Sequence, residues 1–461
     1  MCIDCPGYPN LLDQNFRDES ASVIKRAEKS YTSAISARSN SPDRCNPESA
    51  CIDMLCASNP GPVSTFDVFR SCQPIEDTAV VHLMSCFVPG SHFDYLPWMY
   101  GQVGAESALV ATVHAASMAY LSRELRQSDL METARRLYAK ALLATNRALA
   151  DPCAAASDAT LVSVLLLSLF EALIWRHPRT PESWTTHTKG ALEIVKLRGS
   201  PQLESSVGRQ LFVQVTTIVC VNSLQRRAQV PQDLVDLIQG AMQQLHSGFE
   251  SPQYELASLT SQVANLIAKI YAGGMDAGQV LKATLTMDRY YVSFTNRLPP
   301  VWHYLKTSLE KPRPDVYGEF IHQYPSHRTA QLWNSCRMVR ILLNETIYSY
   351  AAYLPTVARQ TTQQEAVDNI EEMATQICAS IPQFTGQLEG STSIKASNAS
   401  LLWPLSAVRG ASLASENVRT YAINRLKLLG SESRISQAEQ IARKDSDFDA
   451  LQDGLHMFYV S

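Results

Sequence analysis

His82 and Cys86 stand four residues apart, a spacing that puts an imidazole and a thiolate on one face of a helix, and both are zinc ligands. Two donors without a second pair leave the tetrahedron open, so a half-buried pair without an ion is the expectation. Cys45, Cys51 and Cys56 are separated by five and four residues. Paired zinc sites use Cys-x2-Cys, so no site is expected there either. His322 and His327 flank Pro325, which breaks helices and predicts a loop or cap for the pair. Glu171, Trp175, Arg176 and His177 follow one another at the end of an apolar run. A carboxylate–imidazole pocket there would do acid–base chemistry, whereas charges answering a helix dipole are the simpler reading. Phe93, Tyr95, Trp98 and Tyr100 predict packing against a neighbouring helix; a ligand cavity lined by Trp98, Tyr100 or Trp184 is the alternative.

The phosphate loop, nucleophile elbow, zincin and dinucleotide motifs do not occur, and Gly273, Gly274 and Gly278 have the wrong spacing for the last. No catalytic, cofactor-binding or metal-ligating residue is therefore assigned, and no enzyme activity is expected.

The elements that would carry these residues are helical. Leu109, Val113, Ala116 and Tyr120 recur at i, i+4, i+7 and i+11, and Leu130, Ala134, Leu137 and Ala141 repeat that stripe after the cap-like Asp129 and Glu132. Asp151-Pro152 ends the second helix and Asp158 is placed as the cap of the next. A further helix carries Leu192, Ile194 and Val195 and ends at Gly199 in a left-handed cap. Others are predicted over 211–227, 251–272, 277–297, 329–353 and 363–379. Alternating strands with hairpin turns are missing, so the fold class is all-α. Residues 30–62, rich in Ser, Asn, Pro and Ala, read as a flexible linker within a partly disordered N-terminal segment. The division is 1–29, linker 30–62, a large helical domain 63–430 and a C-terminal tail 431–461.

Across 461 residues, 45% are apolar and 18% charged, which suits a globular chain. A net charge of -4 gives no global field for nucleic acid or an anionic membrane. The uncharged run from Ala159 to Phe170 is too short for a bilayer, which needs about 20 residues, and no membrane partner is expected. The start MCIDCPGYPN has neither the basic nor the apolar part of a secretory signal, so an intracellular chain is expected. Its 11 cysteines, an odd number, then predict reduced thiols.

Cys5-Pro6-Gly7-Tyr8, Leu12-Asp13 and Phe16-Arg17-Asp18-Glu19-Ser20 resemble the exit of a fungal binuclear zinc-cluster DNA-binding module. The body resembles the helical regulatory region of the same fungal transcription factors. The matching strings are Ser183 to Ala191, Leu197-Arg198-Gly199, Gly208 to Phe212, Gln225-Arg226-Arg227 and Leu402-Trp403-Pro404-Leu405. In that family six cysteine thiolates share two zinc ions, and Cys5 corresponds to the sixth. The other five and the basic helix have no counterpart here, so residues 1–29 read as the remnant of a truncated module. One thiolate cannot hold a structural zinc. Residues 1–44 carry six basic and six acidic side chains, too balanced for phosphate binding.

The resemblance implies a transcription regulator of RNA polymerase II type, located in the nucleus and represented here by its regulatory region. Its partners would be transcription-machinery proteins or family relatives. DNA would be met only through a module absent here, and no cofactor is expected in this chain, zinc belonging to complete family members. The alternatives are a helical interaction protein that sequesters partners and a helical small-molecule-binding protein. Asn15–Tyr31 lacks clean heptads, which leaves the oligomeric state open.

Overall fold

A helix with apolar residues on one stripe needs one neighbour, and a helix apolar all round needs several. The computed structural model, which describes residues 74–174, 182–244, 251–311, 313, 315–385, 398, 400–432 and 435–443, satisfies both demands with helices. In chain order these are α1 (Ile75–Cys86), α2 (Leu96–Tyr100), α3 (Ala108–Leu125), α4 (Ser128–Ala150), α5 (Asp158–Ile174), α6 (Glu182–Arg198), α7 (Ser206–Gln225), α8 (Gln232–Gln244) and α9 (Ser251–Tyr271). They continue with α10 (Ala277–Asn296), α11 (His327–Ala351), α12 (Thr356–Ala379), α13 (Ile381–Thr385), α14 (Leu402–Gly410), α15 (Glu416–Glu432) and α16 (Ser436–Ile441). Between α10 and α11 lies one antiparallel pair, β1 (Leu305–Ser308) and β2 (Phe320–Gln323), with Leu305 opposite Gln323 and Ser308 opposite Phe320. The all-α class holds, and this ribbon is its exception. All four β1 residues are exposed, so no alternation in the sequence announces it.

Every residue of α5 from Thr160 to Leu173 is buried, and α3, α4, α6 and α7 pack around it. The expected stripe of α3 faces this core: Leu109, Val113, Ala116 and Tyr120 are all buried. On α4, Ala134 and Ala141 are buried while Leu130 and Leu137 sit at its edge. The second half of the chain packs α10 on α11, α11 on α12, and α14 and α15 against them. One continuous apolar core runs through both halves, from Ala79 to Ala442.

Polar interactions lock neighbouring helices in register. Arg340 on α11 grips Asp288 on α10 through two hydrogen bonds, Nε to Oδ1 at 2.8 Å and Nη2 to Oδ2 at 3.1 Å. Asn344 adds a donor to the same carboxylate and accepts from Asn369 on α12, which ties three helices together. Arg337 pins the β ribbon. Fully buried, it donates to the Tyr324 hydroxyl at 2.7 Å, to Asn334 Oδ1 at 2.9 Å and to Gln376 Oε1 at 3.1 Å. Its guanidinium lies among the rings of Tyr304, Trp333 and Tyr324.

Several local expectations are corrected. Asp158 does not cap α5: Ser157 Oγ accepts from Thr160 N, and Asp158 instead forms an ion pair with Arg198 at the end of α6. Asp129 lies in the first turn of α4, where it answers the dipole without a capping bond. Gly199 takes a positive φ of 57° but a ψ of -151°, outside the left-handed helical region, so the expected left-handed cap does not form and a 3-10 turn follows it. Helix α12 starts at Thr356, seven residues before the predicted start, because its first two turns are largely exposed and show no apolar stripe. The expected boundary between 430 and 431 falls inside α15, and Ala438 and Ile441 on α16 are buried beyond it. The linker 30–62 and residues 444–461 lie outside the described residues, as do Cys2, Cys5, Cys45, Cys51 and Cys56.

Two helix glycines differ sharply in surroundings. A Cβ on Gly208 would stand 2.0 Å from the Gln202 carbonyl oxygen, where α7 leaves the 3-10 turn. A Cβ on Gly240 in α8 would meet nothing within 4 Å. Gly208→Ala is expected to lower stability by about 2 kcal/mol through overpacking. Gly240→Ala should raise it by up to about 1 kcal/mol through helix propensity. Urea unfolding midpoints of the two variants check the opposite signs.

Candidate functional site

The structure brings together few of the residues that the sequence singles out for chemistry. His82 Nδ1 and Cys86 Sγ do share a face of α1, 3.6 Å apart. Among the described residues no group of three or more His, Cys, Asp or Glu side chains is arranged to hold a metal ion. His322 lies in β2, and His327 opens α11 after the cap Ser326, so only the second matches the loop-or-cap expectation. The ribbon explains the difference, because Arg337 and Tyr324 hold His322 in a strand. Burial, with Arg337 and then Lys306, pushes its imidazole down to about 3.

Glu171 has partners other than those its sequence neighbours suggest. Trp175, Arg176 and His177 lie outside the described residues. The buried carboxylate accepts from the Tyr138 hydroxyl on α4 at 2.5 Å. That hydroxyl's proton is then committed, so its oxygen accepts from His187 Nε2 on α6 at 2.9 Å, which assigns the imidazole tautomer. Burial raises the Glu171 carboxyl, against the lowering hydrogen bonds from Tyr138 and Ser183. Burial also pushes His187 down to about 4. The Tyr138 ring stacks on Phe170 at 4.2 Å. The trio joins α4, α5 and α6 inside the core.

The aromatic expectation divides. Phe93 and Tyr95 are buried against the helices, whereas Trp98 is 62% exposed. Tyr100 contacts His114 Nε2 at 3.1 Å, and Trp184 is fully buried. None of Trp98, Tyr100 and Trp184 lines the cavity that the fold does contain.

That cavity holds about 140 Å³ between α7, α9, α11, the turn 90–94 and the start of α14. Each long helix presents one face to it. Gln210, Gln214 and Thr217 from α7 fall at i, i+4 and i+7, and Gln253, Leu256, Ala257 and Thr260 from α9 repeat that periodicity. From α11 come Arg328, Gln331, Leu332, Ser335 and Met338. The signal was present in the sequence as glutamines four apart in a largely apolar helix, QLFVQVTTIVCV, and it is read as a site only once three such faces converge. Two of the family-like strings reach the wall, one through Gln210 and the other through Trp403 and Pro404.

Its polar groups are unevenly satisfied. Gln214, 4% exposed, accepts through Oε1 from the Tyr95 hydroxyl at 2.7 Å, and its Nε2 has no partner. Gln331 Nε2 donates to Ser400 Oγ at 3.2 Å. Arg328 lies 3.9 Å from Asp94, beyond hydrogen-bonding reach. Burial, then Arg328, pushes His92 down to about 4, so its ring is neutral at pH 7. Burial raises Asp94, opposed by Arg328, by the Gly90 backbone N–H and by His327. The arrangement offers hydrogen-bond donors beside apolar surface, with no nucleophile paired to a base.

The three depressed histidines, His92, His187 and His322, share one sign. The unfolded chain takes up their protons near 6.5 and the folded chain does so only near 3 to 4. Stability from this source is complete above about pH 6.5 and falls as pH drops toward 4. The raised carboxyl of Glu171 acts oppositely, favouring the folded state at the acid end. Melting temperature is expected to fall between pH 7 and pH 5. His187→Gln, which keeps an N–H donor but does not titrate in this range, should make that fall shallower; an unchanged slope would refute the assignment.

Comparison with known proteins agrees with the resemblance of the body strings. An uncharacterized protein of Emericella nidulans, AN5342, is similar at 29% identity over 101 residues, 22% of this chain and 21% of that protein. The match thus spans about a fifth of that relative's length. No solved structure matches the chain. Among the described residues no helix is long and apolar enough to cross a membrane. Residues 64–444 match the fungal specific transcription factor domain, whose family is not one of enzymes. The matched span contains the continuous core from Ala79 to Ala442, and the chain belongs to that family.

Proposed function

We propose that this chain is the regulatory region of a fungal transcription regulator of the zinc-cluster type, working in the nucleus through contacts with transcription-machinery proteins or family relatives. The observation that carries the reading is the family match over 64–444, supported by the resemblance of Cys5 to Tyr8 to a zinc-cluster exit. The helical body then biases transcription, and DNA contact belongs to a zinc-cluster module that the present residues do not complete. A single thiolate at Cys5 cannot complete the coordination of two zinc ions, and the balanced charge of residues 1–44 gives little phosphate attraction of its own.

Two measurements test this. Fused to an unrelated DNA-binding domain and held at a reporter promoter, the chain is expected to change transcription severalfold in either direction; a stable, nuclear fusion that leaves the reporter unmoved would defeat the proposal. The purified 461-residue chain is expected to carry well under one equivalent of zinc and to leave promoter DNA unprotected. Stoichiometric zinc together with a footprint would assign the DNA contact to this chain itself.

A further inference from the structure

The Gln214 side chain is held at one end and unpaired at the other. Its Oε1 is fixed by the Tyr95 hydroxyl, so the Nε2 donors face away from Tyr95 in a residue that lines the cavity and is almost wholly buried. A buried donor without a partner destabilises the fold, so it needs an explanation where it persists. An acceptor oxygen on a bound molecule supplies one. The remaining wall selects the rest of such a molecule: Leu256, Ala257, Met338 and Leu224 offer apolar contact, and about 150 Å³ of comparable space takes one benzene-sized ring. The 140 Å³ present here therefore suits a single ring with a short substituent and excludes fused polycyclic frameworks.

We propose that the cavity between α7, α9 and α11 binds a small, one-ring molecule bearing a carbonyl or carboxylate oxygen, held by Gln214 Nε2. Arg328, whose guanidinium is too far from Asp94 to spend a hydrogen bond on it, lies in the same wall and favours a carboxylate where the ligand has one. The neutral imidazole of His92 adds no competing charge at pH 7. The site is read on the isolated protein and stands apart from the transcriptional reading. A chain that binds such a molecule but fails at the tethered reporter keeps this site and loses that role.

The experiment uses the purified full chain and three probes of one shape: acetophenone, benzoate, and α-methylstyrene, in which a methylene replaces the carbonyl oxygen. Titration calorimetry or ligand-observed NMR reads affinity, and the 13C-methyl resonance of Met338, assigned with Met338→Leu, reads location. Acetophenone or benzoate is expected to bind about tenfold more tightly than α-methylstyrene, as one hydrogen bond supplies. The better of the two identifies the acceptor, and the Met338 resonance should shift with it. Gln214→Met should abolish the preference while retaining α-methylstyrene, and Ser335→Met, which fills the half-buried wall, should weaken all three. If Gln214→Met does not fold, the wild-type ranking and the Met338 shift decide. No binding by any probe, equal binding by all three, an unmoved Met338 resonance, or a preference that survives Gln214→Met would each overturn the proposal.

Discussion

Helix α5 is the constraint to which the first half of the molecule answers. From Thr160 to Leu173 it has no exposed face, so no single neighbour can shelter it. Enclosure by α3, α4, α6 and α7 is the physical solution, and the polar groups of those helices must then find partners inside the wrapping. Serines on α5 itself solve this by bonding back one turn, Ser163 to the Ala159 carbonyl and Ser168 to that of Val164. Glu171 cannot do so; the Tyr138 hydroxyl arrives from α4 to donate to it and is itself met by His187 from α6.

The family-like strings acquire a common meaning in this arrangement. They hold many of the contacts that fix α6 and α7 relative to α5: Arg198 pairs with Asp158, Arg209 donates to the carbonyls of Leu203 and Glu204, and Arg226 reaches Thr185. Gly208 permits the close backbone approach at the intervening turn. These are joints between helices, where geometry leaves less freedom than on an exposed face. The second half is joined in the same manner by Asp288, Arg340 and Asn344, and by Arg337 beneath the ribbon. Paired, hydrogen-bonded charges of this kind define helix register more than they add stability.

In the cavity wall Gln214 is only half satisfied. Buried Asn344 has partners on both ends, whereas Gln214 spends only one. The cavity also lies where the two halves of the chain meet, α7 and α9 on one side and α11 and α14 on the other. A molecule seated there would touch both, and its binding energy would favour whichever relative placement of the helices closes on it.

Much of the fold was legible in the residues. The all-α class followed from the 3.6-residue periodicity of 109–120 and the lack of alternation, because that period is set by local backbone geometry. The buried character of α5 followed from its unbroken apolar run, and the family from strings spread through the body. What the linear order could not supply was which faces meet. Glu171 was set beside His177 by adjacency, while the fold pairs it with Tyr138 from another helix, whose hydroxyl is in turn met by His187. Trp98, Tyr100 and Trp184 were natural cavity walls by chemistry, yet the actual wall is drawn from glutamines, leucines and a methionine brought together from helices more than a hundred residues apart. Local propensity and periodicity are properties of neighbours along the chain. Partnership inside a core is decided by how several helices close-pack at once, and only the tertiary structure contains that information.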